Sequence, residues 1–432
     1  MSITLRDAHS LPSTVAQLAL VVALCVAGGV ADARAQSADD LFNPVAMQRV
    51  DLLMNSQDWE KLKQNFQENT YYPADLTWSG QTVRNAGVRS RGLGSRSGTK
   101  PGLRVDFDRY STGQTFLSLK SLVLDNLTQD SSGVRESVTM RMFARLGVPA
   151  SRESFARLYV NNQLIGLYAL VESVDKDLLA RVFGAIDGNV QNDGFLFEYN
   201  YILGSPWRFE YLGVDLDAYA RRFEPKTKEN KSASEKWGPI EELVRLVNET
   251  PSASLPGVLE PRLDVPAFLR YMAAQNFVAQ EDGFLGYDGM NNFYFYRLED
   301  SMRHVFIAWD EDNAFARQDF GITTRHDENV LMRKVMERPD YSALYFTALQ
   351  ESAISAGQAE DGQSEGWLQV EVRRQLDLIA DAMREDPSKP YTNDEHEAAR
   401  AAMLAFPNPR VTYVLCETTK ALGQPPAAGV CP

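Results

Sequence analysis

The pattern of apolar and polar positions changes character along the chain, from strands to a mixture to mostly helix. Met47–Met54 is apolar and strand-like, and Ser56 then caps a short helix carrying Trp59, Leu62 and Phe66 on one face. Leu76–Trp78 and Thr82–Arg89 hinge on Gly80 as a hairpin. An irregular loop follows, Arg91-Gly92-Leu93-Gly94-Ser95-Arg96-Ser97-Gly98, then Lys100 and an alternating strand over Leu103–Phe107. Leu119–Leu124 reads as a strand, and Gly133–Leu146 as a helix stopped by Gly147 and Pro149. Phe155–Val160 and Leu164–Val171 pair across Asn161-Asn162, a turn that tolerates positive φ.

The second half is more helical. Leu196 to Lys231 carries no clear period. Ile240–Asn248 and Asp264–Val278 predict helices, the second with Asp264 as cap and Pro266 in its first turn. Asn292–Leu298, aromatic and alternating, and His304–Trp309 predict two strands joined by a charged turn. Beyond about Asn329 the pattern is helical to near Leu404.

The two ends change the picture. An early base, Arg6, an apolar stretch over Ala16–Val30 and the small-x-small exit Ala33-Arg34-Ala35 predict a secretory leader over residues 1–35, cut before Gln36. The stretch is shorter than a membrane span needs and is broken by Gly28-Gly29, so no membrane insertion is expected after cleavage. Cleavage removes two bases (Arg6, Arg34) and two acids (Asp7, Asp32), so the net charge of −14 is kept. Such a surface repels nucleic acid and anionic membranes. Cys416 and Cys431 then predict one disulfide closing a short tail over residues 416–432, in a secreted or periplasmic protein. With 44% hydrophobic residues the remainder can bury an ample core.

Histidine is scarce: only His304, His326 and His396 follow the leader, without ligand spacing, and no nucleophile elbow is present. Hydrolytic triads and zinc sites are therefore poor readings. The carboxylates say more. Asp282 and Asp288 lie in a loop after a helix, Asn292 starts the next strand, and Asp310 and Asp312 close the one after. A hairpin would bring Asn292 and Asp310 to one end, a hard-oxygen site suited to Mg²⁺ or Mn²⁺. Protein kinases use the same order of catalytic acid, metal-binding Asn, hairpin and metal-binding Asp. The alternative is a loop of solvated acids or a structural Ca²⁺ site.

The glycine loop has a phosphate-binding logic, with exposed N–H groups and the cations Arg91 and Lys100 beside Gly92 and Ser95. It matches neither the Walker pattern nor the kinase G-x-G-x-x-G. Glu172 could pair with Lys100 or approach a nucleotide, although an acid at such a place is more often on the surface, and Lys226 is a further candidate contact or an ordinary loop lysine.

Several stretches together resemble the CotH (spore coat protein H) kinase family. They are Gly87-Val88-Arg89-Ser90-Arg91-Gly92 with Lys100 and Phe107, Leu124-Asp125-Asn126 with Val134-Arg135, and Leu158–Tyr168 with Glu172 and Val174-Asp175. Asn292-Phe293-Tyr294-Phe295-Tyr296 and Trp309-Asp310-Glu311-Asp312-Asn313-Ala314-Phe315 are similar to its most specific motifs. The resemblance runs from about Val50 to Arg410-Val411 and implies an α+β, divergent two-lobed protein-kinase-like fold. Its β-rich first lobe would cover about 47–200 and its helical second lobe about 201–415, after a linker over 36–46.

The resemblance further implies ATP with Mg²⁺ or Mn²⁺ and an exported protein substrate. Asp288 would orient the attacking hydroxyl, with Asp282 as rival; Asn292 and Asp310, with Asp312, would hold metal; Lys100 would hold phosphates. The chain departs from the family at Met290-Asn291, Asn162 and Leu93-Gly94. Two other functions fit the same residues: a catalytically silent envelope scaffold binding protein or glycan, and a glycan hydrolase using two of Asp282, Asp288 and Asp310.

Overall fold

The first seven strands close on themselves. In a computed structural model that describes residues 36–186, 188–425 and 431, they are β1 (Met47–Met54), β2 (Tyr72–Trp78), β3 (Gln81–Ser90), β4 (Leu103–Asp106), β5 (Ser121–Asp125), β6 (Glu153–Val160) and β7 (Gln163–Glu172). Their order is β1-β2-β3-β4-β5-β7-β6, and β6 returns parallel to β1, Val50 opposite Leu158, to seal the barrel. Alternation explains the closure: Val50, Leu52, Leu76, Val88, Leu103, Val105, Leu122, Leu124, Leu158 and Leu170 are buried in one cluster. The turn at Asn161-Asn162 has φ of 50° and 65°, as the pair of asparagines predicts. The helix after β1, α1 (Ser56–Gln64), is capped by Asn55 rather than Ser56: the Asn55 side chain accepts from Gln57 N.

Helix α2 (Arg135–Arg145) leaves the barrel and begins a second core that runs through the rest of the chain. The stretch without a clear period supplies β8 (Phe195–Tyr199) and β9 (Phe223–Pro225). These join β10 (Phe293–Arg297) and β11 (His304–Ala308) in a sheet of order β9-β8-β10-β11, all antiparallel. Strands β10 and β11 are buried throughout, whereas β8 and β9 keep Glu198 and Glu224 toward solvent. Because β8 pairs with β10, the sheet of the second half begins ahead of residue 200.

Helix α3 (Ala233–Glu249) starts seven residues before the expected Ile240, on a Ser232–Glu235 capping box that Gly238-Pro239 disguised. Helix α4 (Val265–Phe277) is capped by Asp264 and contributes ten buried residues. Helices α5 (Pro339–Gly357), α6 (Trp367–Glu385), α7 (Asn393–Ala405) and α8 (Pro407–Ala421) carry the helical pattern past Leu404. The Cys416–Cys431 disulfide is present. No helix among the described residues is long and apolar enough to cross a membrane, and the expected leader lies outside them.

Candidate active site

The β10–β11 hairpin sets the site. Phe293 pairs with Ala308, so Asn292 and Asp310 leave adjacent strands at the same end. Both are left-handed, with φ of 58° and 54°, a conformation that Asn and Asp tolerate better than other side chains. An aromatic stack holds the hairpin: Phe293 lies 4.6 Å from Tyr199 and 5.3 Å from Phe306, and Tyr294 meets Trp309 edge-on at 5.5 Å.

The loop between α4 and β10 is clamped onto that end by a residue that sequence patterning did not single out. Glu311 is fully buried. Its carboxylate accepts from Gln275 Nε2 at 2.8 Å and from Gln280 Nε2 at 2.6 Å. The same two side chains then accept from the loop, Gln280 from Asp282 N at 3.1 Å and Gln275 from Phe284 N at 3.2 Å. Gly283 has to be glycine here, because a Cβ would stand 2.3 Å from Gln275 Nε2. Burial pushes the Glu311 carboxyl up to about 8 against the two amides that favour its charge.

This clamp turns Asp282 inward. Its carboxylate accepts from Asn291 Nδ2 at 3.1 Å and Asn292 Nδ2 at 3.3 Å, and Asn292 also donates to the Asp282 carbonyl at 3.0 Å. Burial raises the Asp282 carboxyl, the two amides oppose, and Asp288 adds to the rise. Asp288 itself is exposed and is held by the Tyr201 hydroxyl. Asp282, not Asp288, is the acid joined to Asn292.

Asp310 is half-buried, and desolvation lifts it to about 6; Arg91 opposes this while Asp125 and Asp282 add to it. Asp312 is raised well above the usual carboxylate range, by burial first and then by Asp310 and Asp125. The donor set of a carboxylate and an amide suits a hard divalent cation. Asn292 and Asp310 are the residues that would hold it, with Asp282 beside them as the catalytic acid, although no three acidic, His or Cys side chains among the described residues are placed closely enough to grip a metal.

The barrel supplies the cations, but not the expected one. Lys100 is buried, its Nζ 2.7 Å from Asp386 Oδ2 beyond α6, and Asp386 also accepts from Leu167 N at 2.9 Å. Burial pulls its ammonium below the ordinary value against that carboxylate. Gly166 leaves the room for this plug, since a Cβ there would stand 2.4 Å from Asp386 Oδ1. Gly92 and Ser95 sit in a turn tied by Arg96, whose Nε donates to the Gly92 carbonyl at 2.7 Å, and by Asn126, which donates to the Ser95 carbonyl at 2.9 Å.

Glu172 does not meet Lys100; it pairs with Arg152 at 2.6 Å and Arg181 at 2.5 Å. Lys226 is neutralised by Glu198 and Glu224, at 2.6 and 2.9 Å. Arg91 does reach the site: it pairs with Asp125 at 2.9 Å, lies 5.5 Å over the Trp309 ring, and its charge acts on Asp310. Arg104, which patterning read only as part of a strand, donates to Ser121 Oγ at 3.2 Å and has no ion pair among the described residues. Its charge acts on Tyr294, beside Trp309.

The sequence model of the family described as CotH kinase protein matches residues 88–413. The chain belongs to the CotH kinase family. This family member is 23% identical over 311 residues to inner spore coat protein H of Bacillus subtilis strain 168, covering 70% of this chain and 80% of that protein. Among solved structures it is similar to HipA of the Shewanella oneidensis MR-1 toxin–antitoxin system, determined with HipB and operator DNA. That match has 13% identity and a TM-score of 0.31, over 70% of this chain and 58% of that one. The Helicobacter pylori proinflammatory kinase CtkA matches at 10% identity and a TM-score of 0.29, over 74% and 94%. These two likenesses are too distant to assign residues in this chain.

Proposed function

We propose that this CotH kinase is an exported, metal-dependent protein kinase that transfers the γ-phosphoryl group of ATP to a hydroxyl of a protein substrate. The observation that carries the reading is the meeting of Asp282, Asn292 and Asp310 at one end of the β10–β11 hairpin. In the reaction the substrate hydroxyl oxygen bonds to the γ-phosphorus, the bond to the β-phosphate oxygen breaks, and the hydroxyl proton passes to Asp282. A bound Mg²⁺ or Mn²⁺ supplies charge neutralisation for the phosphates. Asn291 and Asn292 hold the Asp282 carboxylate in one orientation. Arg91 and Arg104 present guanidinium groups to phosphate oxygens, in the role that Lys100, buried against Asp386, fills poorly. The barrel and the helical remainder would act as two lobes around this cleft.

Export is supported by the leader-like first 35 residues and by the disulfide, which belongs to an oxidising compartment, secreted or periplasmic. A net charge of −14 supports neither nucleic acid nor an anionic membrane as partner.

A second reading, a silent scaffold, is favoured by the glycine loop: its lysine and Arg96 serve internal bonds rather than facing a ligand. Thermal melting with and without Mg·ATP separates the two, because a ligand bound only by the folded state raises its melting temperature. The kinase reading expects a shift that needs both metal and nucleotide. No shift with either metal would leave the scaffold. Glycan hydrolysis persisting in EDTA would instead favour the two-carboxylate hydrolase.

A further inference from the structure

Beside the hairpin end lies a second concentration of acid. Asp125, Asp130, Glu136, Glu153 and Asp312 line a small enclosed cavity of about 10 Å³, which is room for one water or one ion. Two of the five are already satisfied. Asp125 pairs with Arg91 and accepts from Leu127 N, and Asp130 accepts from Ser132 N, Ser132 Oγ and Arg135 N. Three are not. Asp312 accepts only from the neighbouring Asn313 side chain, and no hydrogen bond or ion pair engages Glu136 among the described residues. Glu153 is 4% exposed, and both of its carboxylate oxygens are buried without a partner.

A carboxylate that is buried, charged and unpartnered carries a desolvation cost of several kcal/mol. Glu153 is in that position, and the half-buried Glu136 and Asp312 beside it add repulsion that a positive charge relieves. Protons are one solution, and burial with like charge does drive Glu136 and Glu153 well above their ordinary range. The donor chemistry favours another: oxygen ligands from three separate elements around an ion-sized space. We propose that this cavity binds a hard divalent cation, held by Glu153 of β6, Glu136 in the first turn of α2 and Asp312. It is distinct from the metal expected at Asn292 and Asp310.

No three of these carboxylates converge on one point as placed, so loading draws Glu136, which is only half-buried, inward onto the ion. The ion would tie the barrel wall and α2 to the residue two positions after Asp310. It therefore binds without nucleotide, and it does not depend on phosphoryl transfer taking place.

The test is metal counting and thermal melting on the purified protein without nucleotide, after EDTA and then dialysis against Mg²⁺, Mn²⁺ or Ca²⁺. The expected result is one tightly held ion per chain and a higher melting temperature. Glu153→Gln, which keeps the shape and removes the charge, should lose that ion and its thermal shift while melting cooperatively in EDTA. Glu136→Gln, on the accessible side, should weaken the same ion if Glu153→Gln fails to fold. Asn292→Ala should keep it. No nucleotide-free ion in the parent with any of the three metals would overturn the proposal and assign the cluster to protons. An ion retained in both glutamine variants would overturn it as well. Loss of Mg·ATP binding alone would count against the kinase reading and leave this site standing.

Discussion

The glycine loop of the barrel and the acidic end of the β10–β11 hairpin both concentrate charge, and they treat it in opposite ways. Around the loop each charge finds a partner: Lys100 meets Asp386, Glu172 meets two arginines, and Arg96 binds backbone carbonyls. At the hairpin end, Asp310, Asp312 and the cavity acids outnumber the two arginines paired with them, and burial pushes the carboxyl groups of Asp310, Asp312, Glu136 and Glu153 upward. A charge that is paired and buried holds a fold together, whereas charge left in excess is available to a ligand. The lysine that looked most like a phosphate holder belongs to the first kind.

The sharpest way to break that contrast is Lys100→Ala. Removing one partner strands the buried Asp386 without its cation and should cost about 4 kcal/mol of stability, read from denaturant melts. Nucleotide affinity of the remaining folded protein should stay close to the parent. A large loss of affinity with little loss of stability would return Lys100 to the site.

Next comes the choice of acid. Asp282→Asn should lower the rate of phosphoryl transfer at least about a hundredfold, or roughly 3 kcal/mol. Asp288→Asn, at an exposed carboxylate bound to Tyr201, should change it little. The reverse ranking would restore Asp288.

The hairpin's other end gives a pH test. His304 is fully buried, stacked 4.5 Å from Phe295, with Nδ1 2.9 Å from the Arg262 carbonyl, and burial lowers it to about 3. Its folded value lies below the unfolded 6.5, so the stability it contributes is complete above pH 6.5 and is lost as pH falls from there toward 3. Relative to His304→Gln, the parent should lose roughly 2 kcal/mol between pH 7 and pH 5. Parallel melting curves for the two proteins would contradict this. The smallest effect is expected at Lys226→Ala, less than about 1 kcal/mol, because its ion pairs are partly exposed.

What was legible in the sequence follows from the range of the interactions. The hairpin, its shared end and the Asn161-Asn162 turn are written in neighbouring residues, and the structure keeps them. Strand Phe195–Tyr199 escaped because Leu196 and Phe197 are both buried in succession, which breaks the period-2 alternation. The clamp of Glu311 on Gln275 and Gln280 spans 36 and 31 residues, and the pair Lys100–Asp386 spans 286, so neither leaves a local signal. Arg104 was hidden by its setting, since an arginine at a polar position of an alternating strand reads as a solvated face.

The most direct test of the central claim is transfer of labelled γ-phosphate by the protein over residues 36–432 with Mg²⁺ or Mn²⁺. It should be scored on the protein itself and on an acceptor protein, beside Asp310→Ala. The account predicts label with the parent and at least about a thousandfold less with Asp310→Ala, which should fold as stably as the parent. Equal labelling by both, or none by the parent with either metal, would contradict it.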